Sequence, residues 1–99
     1  MTWKRKGLSF KKRMLILTSK PRLMYFNYKG TYKGQVPWSL TKLLTTRKNN
    51  DRKFDIIMQD NSRVYHMTDN DGGSARWIDC IDRIVAAQRA YLERRGTVL

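Results

Sequence analysis

Acidic residues are missing from the first half of this chain. None of its first 50 positions is Asp or Glu, and the first acid is Asp51. Thirteen Lys and Arg residues precede it uncompensated, whereas eight basic and eight acidic residues cancel from Asp51 onward. The net charge of +13 therefore belongs to the N-terminal half. Such an asymmetry informs about partners, not fold. It points to phosphate, whether in a nucleic acid, an anionic membrane or a phosphorylated ligand. A merely basic, solvated surface is the plain alternative, but random scatter rarely leaves 50 residues without an acid.

Other absences exclude whole classes. There is one cysteine, Cys80, so no internal disulfide stands in for a secreted scaffold. It is expected as a small, buried or half-buried helix residue. No run approaches the roughly 20 apolar residues of a membrane span, and the basic N-terminus lacks a signal peptide's apolar stretch. These features suggest a soluble, cytoplasmic protein. His66 stands alone, with no Cys or acid at metal spacing. Asp79 and Asp82 are flanked by arginines, which suits solvated ion pairs better than an acid/base dyad. Asp71-Gly72-Gly73-Ser74 lacks the Gly-x-x-x-x-Gly-Lys spacing of a P-loop and reads as a turn and helix cap. Kinase catalytic-loop motifs are missing too. A binding domain without cofactor or metal is expected, not an enzyme.

Ninety-nine residues suit one domain with a modest core. Lys11 to Thr18 reads as a strand entering that core, broken by Ser19-Lys20-Pro21. Arg22 to Asn27 follows, with Leu23 and Tyr25 on one face and Met24 and Phe26 on the other. Tyr28-Lys29-Gly30 is a turn, with Gly30 free to take positive φ. Tyr32 to Val36 is a third strand, ended by Pro37. Leu40 to Thr46 is strand or loop, leaning to strand on its threonines. Lys53 to Gln59 and Arg63 to Met67 complete the strands, and Asp69 to Gly73 is a loop. Ser74 to Arg95 then carries Trp77, Ile81, Ile84, Val85 and Leu92 in one helical stripe. Ser74 is expected as N-cap and Gly96 as terminator. Trp77 and Trp38 are read as packing residues; Trp3 is core or strand edge. Six or so short strands and a terminal helix imply a bent antiparallel sheet with one end plugged by the helix.

The densest basic cluster is Lys4-Arg5-Lys6-Gly7-Leu8-Ser9-Phe10-Lys11-Lys12-Arg13. If its two runs are the arms of one hairpin, alternation sets Lys4 and Lys6 on one face of the first strand. Lys11 and Arg13 then share one face of the next. Their charges can converge over the loop, whose backbone N–H groups add donors. Leu8 and Phe10, near the loop tip, either dip into a membrane interface or pack under the loop.

A lysine, a short loop, then basic-x-Arg before an apolar strand resembles the phosphoinositide-binding pleckstrin-homology family. Within that family, Lys4 to Leu8, the strand ending at Thr18, Lys33-Gly34-Gln35-Val36-Pro37-Trp38-Ser39 and Arg76-Trp77 resemble the C-terminal domain of phosphoinositide-dependent protein kinases. The Lys-Gly-x-x-Pro-Trp-Ser segment is the most specific part, and the similarity spans roughly residues 4 to 95. The resemblance implies a mostly β fold, a bent antiparallel sandwich or barrel of about seven strands capped by one C-terminal helix. The domain would be residues 1–95 with a tail at 96–99, its first strand short or truncated. Lys4, Lys6, Lys11, Arg13, Lys33 and Arg63 would bind the headgroup of phosphatidylinositol 3,4,5-trisphosphate or the 3,4-bisphosphate. An anionic membrane surface, soluble inositol phosphates and a covalently linked serine/threonine kinase domain would be further partners, with recruitment to the plasma membrane. Two rivals remain: single-stranded nucleic acid stacking on Tyr25, Phe26, Tyr28 and Tyr32, and a peptide held at a sheet edge.

Overall fold

The computed structural model describes residues 2–6 and 9–95, with side chains from residue 13 onward. Seven strands precede one helix among them: β1 (Thr2–Lys6), β2 (Ser9–Thr18), β3 (Arg22–Phe26), β4 (Tyr32–Gln35), β5 (Leu44–Lys48), β6 (Lys53–Met58), β7 (Val64–Asp69) and α1 (Ser74–Arg94). The mostly β architecture with a C-terminal helix is the one expected. The order across the sheet is β4-β3-β2-β1-β7-β6-β5, every neighbouring pair antiparallel. Strand β2 serves both halves. Its first part, Ser9 to Arg13, pairs with β1, and its second, Met14 to Thr18, pairs with β3.

Alternation decides what each strand buries. Phe54, Ile56 and Met58 of β6 point inward, as do Tyr65 and Met67 of β7 and Leu23 of β3. Leu15 and Leu17 of β2 pack against the same cluster. The helix closes it with Ile81, Val85 and Leu92. Trp38 is buried after Pro37, and its indole N–H donates to Gln88 Oε1 at 2.9 Å. Gln88 in turn donates to the Ser39 carbonyl, so one buried amide fastens the β4–β5 connection to α1.

Some local expectations are corrected. Leu40 to Leu43 is irregular, and the strand begins only at Leu44, where the register with Met58 starts. Asp69 belongs to β7, not to the following loop. Gly73, not Ser74, is the N-cap, with no side-chain capping bond. The Ser74 hydroxyl instead donates to the Asn50 carbonyl, tying the helix start to the β5–β6 turn. Trp77 is half-buried: it stacks on Phe54 at 6.4 Å between centroids and gives its N–H to Asp69. Cys80 is exposed, one position off the inward stripe of Ile81. Asp79 forms an exposed pair with Arg83, whereas Asp82 accepts from Thr46 Oγ1 on β5. Gly96 lies outside the described residues.

One carboxylate is buried on the opposite side of the sheet from the main core. Asp55 of β6 is 2% exposed and stands in register between Arg47 of β5 and His66 of β7. Arg47 donates to its Oδ2 through two nitrogens, and His66 Nδ1 lies 2.8 Å from Oδ1. Burial raises the Asp55 pKa, but hydrogen bonds from Arg47, His66 and Asn49 outweigh it, leaving the group below its ordinary value. A folded-state pKa below the unfolded value, about 3.9, stabilises the fold above the unfolded value. That contribution is lost as pH falls through the folded pKa. In urea titrations from neutral pH to about pH 2, the unmodified chain should therefore lose more stability than Asp55→Asn. Parallel pH profiles for the two proteins would contradict this account of Asp55.

Candidate functional site

Strand direction gathers particular turns at each end of the barrel. The β3–β4 turn (27–31), the β6–β7 turn (59–63) and the paired strand ends Lys6 and Ser9 lie at one end. The β2–β3 and β5–β6 turns and the start of α1 lie at the other, where Ser74 N–H donates to the Asp51 carbonyl. The helix therefore starts at the second end, and the first, opposite its start, is the open end.

The basic residues of β1 and β2 meet at this open end by register. Lys4 is the cross-strand partner of Lys11, Lys6 of Ser9, and Thr2 of Arg13. Positions 9, 11 and 13 continue the row that holds Leu15 and Leu17, which pack on the core. On its other side, Lys4 pairs with the buried Met67 of β7. Positions 4, 6, 11 and 13 thus extend an inward-facing row beyond its apolar part. The row changes from leucine to cation as it leaves the core. Like charges directly opposite one another weaken an antiparallel pair, and a multivalent anion between them reverses that sign.

Arg63 belongs to the β6–β7 turn and Lys33 to β4. Arg63, exposed at the end of the β6–β7 turn, sets its guanidinium 4.5 Å from the centre of the Tyr65 ring. Tyr65 is buried, and burial raises its phenol pKa against the opposing effect of Arg63, so it stays a hydrogen-bond donor at neutral pH. Lys33 is exposed on β4. It falls at a register irregularity, between Tyr32, which pairs with Phe26, and Gly34, which pairs with Tyr25. The strand order separates it from β1 by β2 and β3. Leu8 lies outside the described residues. Phe10 pairs with Arg5, on the row alternate to Lys4 and Lys11.

Two tyrosines that the sequence did not assign to the headgroup site belong to this end. Tyr25 lies on the inward row of β3, opposite Leu15, and its ring crosses Gly34. Tyr65 lies beneath Arg63. The alternation of Leu23 with Tyr25, and of Tyr65 with Met67, was the signal that both phenols point inward.

Gly34 is required by this crossing. A Cβ there would meet Tyr25 Oη at 2.6 Å and Cζ at 2.8 Å, and the residue has φ +155°. Gly34→Ala should cost about 1–3 kcal/mol of stability in urea unfolding, and distinctly less in a Tyr25→Leu background, where the ring is gone. Equal costs in both backgrounds would show that the ring is not the obstacle.

Comparison with known proteins gives a consistent set of likenesses. The PH domain family matches residues 1–90. A probable serine/threonine-protein kinase, pdkA, from Dictyostelium discoideum is 36% identical over 86 residues, which is 86% of this chain and 12% of that protein. The 3-phosphoinositide-dependent protein kinase B of the same organism is 36% identical over 85 residues, 85% of this chain and 9% of its own length. The human 3-phosphoinositide-dependent protein kinase 1 is 32% identical over 82 residues, 82% of this chain and 14% of its own. The chain therefore spans only 9–14% of these curated relatives.

Proposed function

Since this chain belongs to the PH domain family, and is a binding domain whose kinase relatives carry their catalysis elsewhere, we propose that it binds a 3-phosphorylated inositol lipid at its open end. The lipid class is phosphatidylinositol 3,4,5-trisphosphate or the 3,4-bisphosphate. The observation that carries the reading is the β1–β2 register, in which Lys4 opposes Lys11 on the inward row that runs out from Leu15 and Leu17.

Recognition proceeds in two stages. The basic N-terminal half is first drawn to an anionic leaflet, each Lys or Arg near the surface contributing roughly 1 kcal/mol. Lys4, Lys6, Lys11 and Arg13 then hold the ring phosphates through charge-assisted hydrogen bonds, with Lys33 and Arg63 closing from the rim. Arg13 brings a planar fork for bidentate contact, whereas the lysines act as point charges. Phenols of Tyr25 and Tyr65 supply further donors at the floor. Leu8 and Phe10 dip into the interface beside the headgroup. In the cell this corresponds to a cytoplasmic domain that recruits a linked serine/threonine kinase domain to the plasma membrane. Soluble inositol phosphates compete for the same end.

Vesicle pelleting tests the reading. Binding should be stronger to vesicles containing the 3,4,5-trisphosphate or the 3,4-bisphosphate than to the 4,5-bisphosphate or phosphatidylserine alone. Lys4→Glu and Arg13→Glu should each weaken it at least about tenfold, since a hydrogen bond to a charged group contributes about 1.5–3 kcal/mol. Soluble inositol tetrakisphosphate should displace the chain, and an oligonucleotide should not. Undiminished binding by both charge-reversal variants would refute the assignment. Preferential displacement by the oligonucleotide would favour the nucleic-acid alternative.

A further inference from the structure

A second surface lies on the outward face of β2, β3 and β4. In this layer Met14 pairs with Phe26, Ile16 with Met24, and Phe26 with Tyr32. These residues occupy the alternate row to Leu15, Leu17 and Leu23, so they turn away from the core. Met14 is 36% exposed, Ile16 45% and Tyr32 51%, while Met24 and Phe26 are half-buried among them. The rings of Phe26 and Tyr32 meet edge-on at 5.6 Å. Five neighbouring apolar or aromatic side chains on one sheet face are more than the scattered exposure expected of a surface.

The surroundings of this patch are cationic. Arg22 extends the row beyond Met24 and donates to Gln35 Oε1 at 2.9 Å. Lys20 sits in the β2–β3 turn, Lys33 beside Tyr32, and Lys12 at a register position that continues the face. No acidic residue occurs anywhere in β1 to β4, because none precedes Asp51. We propose that this face docks a segment of a protein partner that interleaves apolar side chains with Asp and Glu. The apolar strip supplies burial, and the rim supplies charge complementarity and orientation.

Two other occupants fit less well. A second copy of the same face would set cations against cations. A bilayer touching the open end does not lie along this face, because the strands run away from that end. Ile16 and Met24 are one pair farther down than Met14 and Phe26, about 7 Å at the rise of a strand. Ile16 and Met24 therefore stay accessible while the open end is occupied.

The test is an amide-shift titration of the whole chain with a synthetic 16-residue peptide alternating Leu or Phe with Glu. A version with Lys in place of Glu serves as control. The Glu peptide should give saturable shifts centred on residues 14, 16, 24, 26 and 32, unchanged by saturating soluble inositol tetrakisphosphate. Ile16→Glu and Met24→Glu, each checked for an otherwise unaltered spectrum, should weaken it at least tenfold. The proposal is overturned by absence of saturable binding, by equal binding of the Lys peptide, or by shifts at residues 4–13 that the headgroup displaces. Burial of residue 16 in a concentration-dependent dimer, or its quenching by lipid in vesicles, would overturn it as well. None of these outcomes depends on whether the open end binds an inositol lipid.

Discussion

A lysine facing a lysine across an antiparallel pair is the arrangement on which the functional reading depends. Lys4 and Lys11 are cross-strand partners, and the same row continues to Arg13 and then to two leucines in the core. Sheet alternation leaves no freedom here. A row that buries Leu15 and Leu17 must carry positions 13 and 11 on the same face. The apolar half of the row fixes the register, and the register sets Lys4 opposite Lys11. Cations at directly opposed positions weaken an antiparallel pair unless an anion joins them.

The rest of the sheet keeps that row in register. Strand β2 turns from β1 to β3 between Arg13 and Met14, so the site lies where one half of the barrel passes into the other. Beneath it, one core spans both halves, from Leu23 and Val36 to Phe54, Met67 and the helix. On the outward side, Asp55 holds β5 and β7 together through Arg47 and His66. Trp38, Gln88 and Ser39 pin the helix to the β4–β5 connection.

Much of this was legible in the sequence. The absence of acid before Asp51 marked the cationic half, and alternation in Arg22 to Asn27 separated the face of Leu23 and Tyr25 from that of Met24 and Phe26. The 3.6-residue stripe of Ile81, Val85 and Leu92 marked the helix. What escaped was long-range pairing. Gln88 looks like a surface amide until Trp38, 50 residues away, supplies its partner. Ser74 has the chemistry of an N-cap, but Asn50 offers its hydroxyl a tertiary acceptor. Leu40 to Leu43 has strand-like composition, yet no strand pairs with it, and side-chain propensity alone does not form a ladder. Among the candidate site residues, those of β1 and β2 could be grouped from spacing. Tyr25 and Tyr65 could not, because only the strand order of the folded sheet brings them to the same end.

The family match and the register address different questions. Membership in the PH domain family, and likeness to phosphoinositide-dependent kinases over 9–14% of their length, make this a regulatory binding domain. The proposal that the β1–β2 end holds an anion rests on the register of the strands. The most direct test is an amide-shift map of the chain with soluble inositol 1,3,4,5-tetrakisphosphate. The account predicts that the largest changes fall on residues 4–6 and 9–13, with smaller ones at Gly34, Arg63 and Tyr65. Changes centred instead on β5 and α1, or spread evenly over every basic residue, would contradict it.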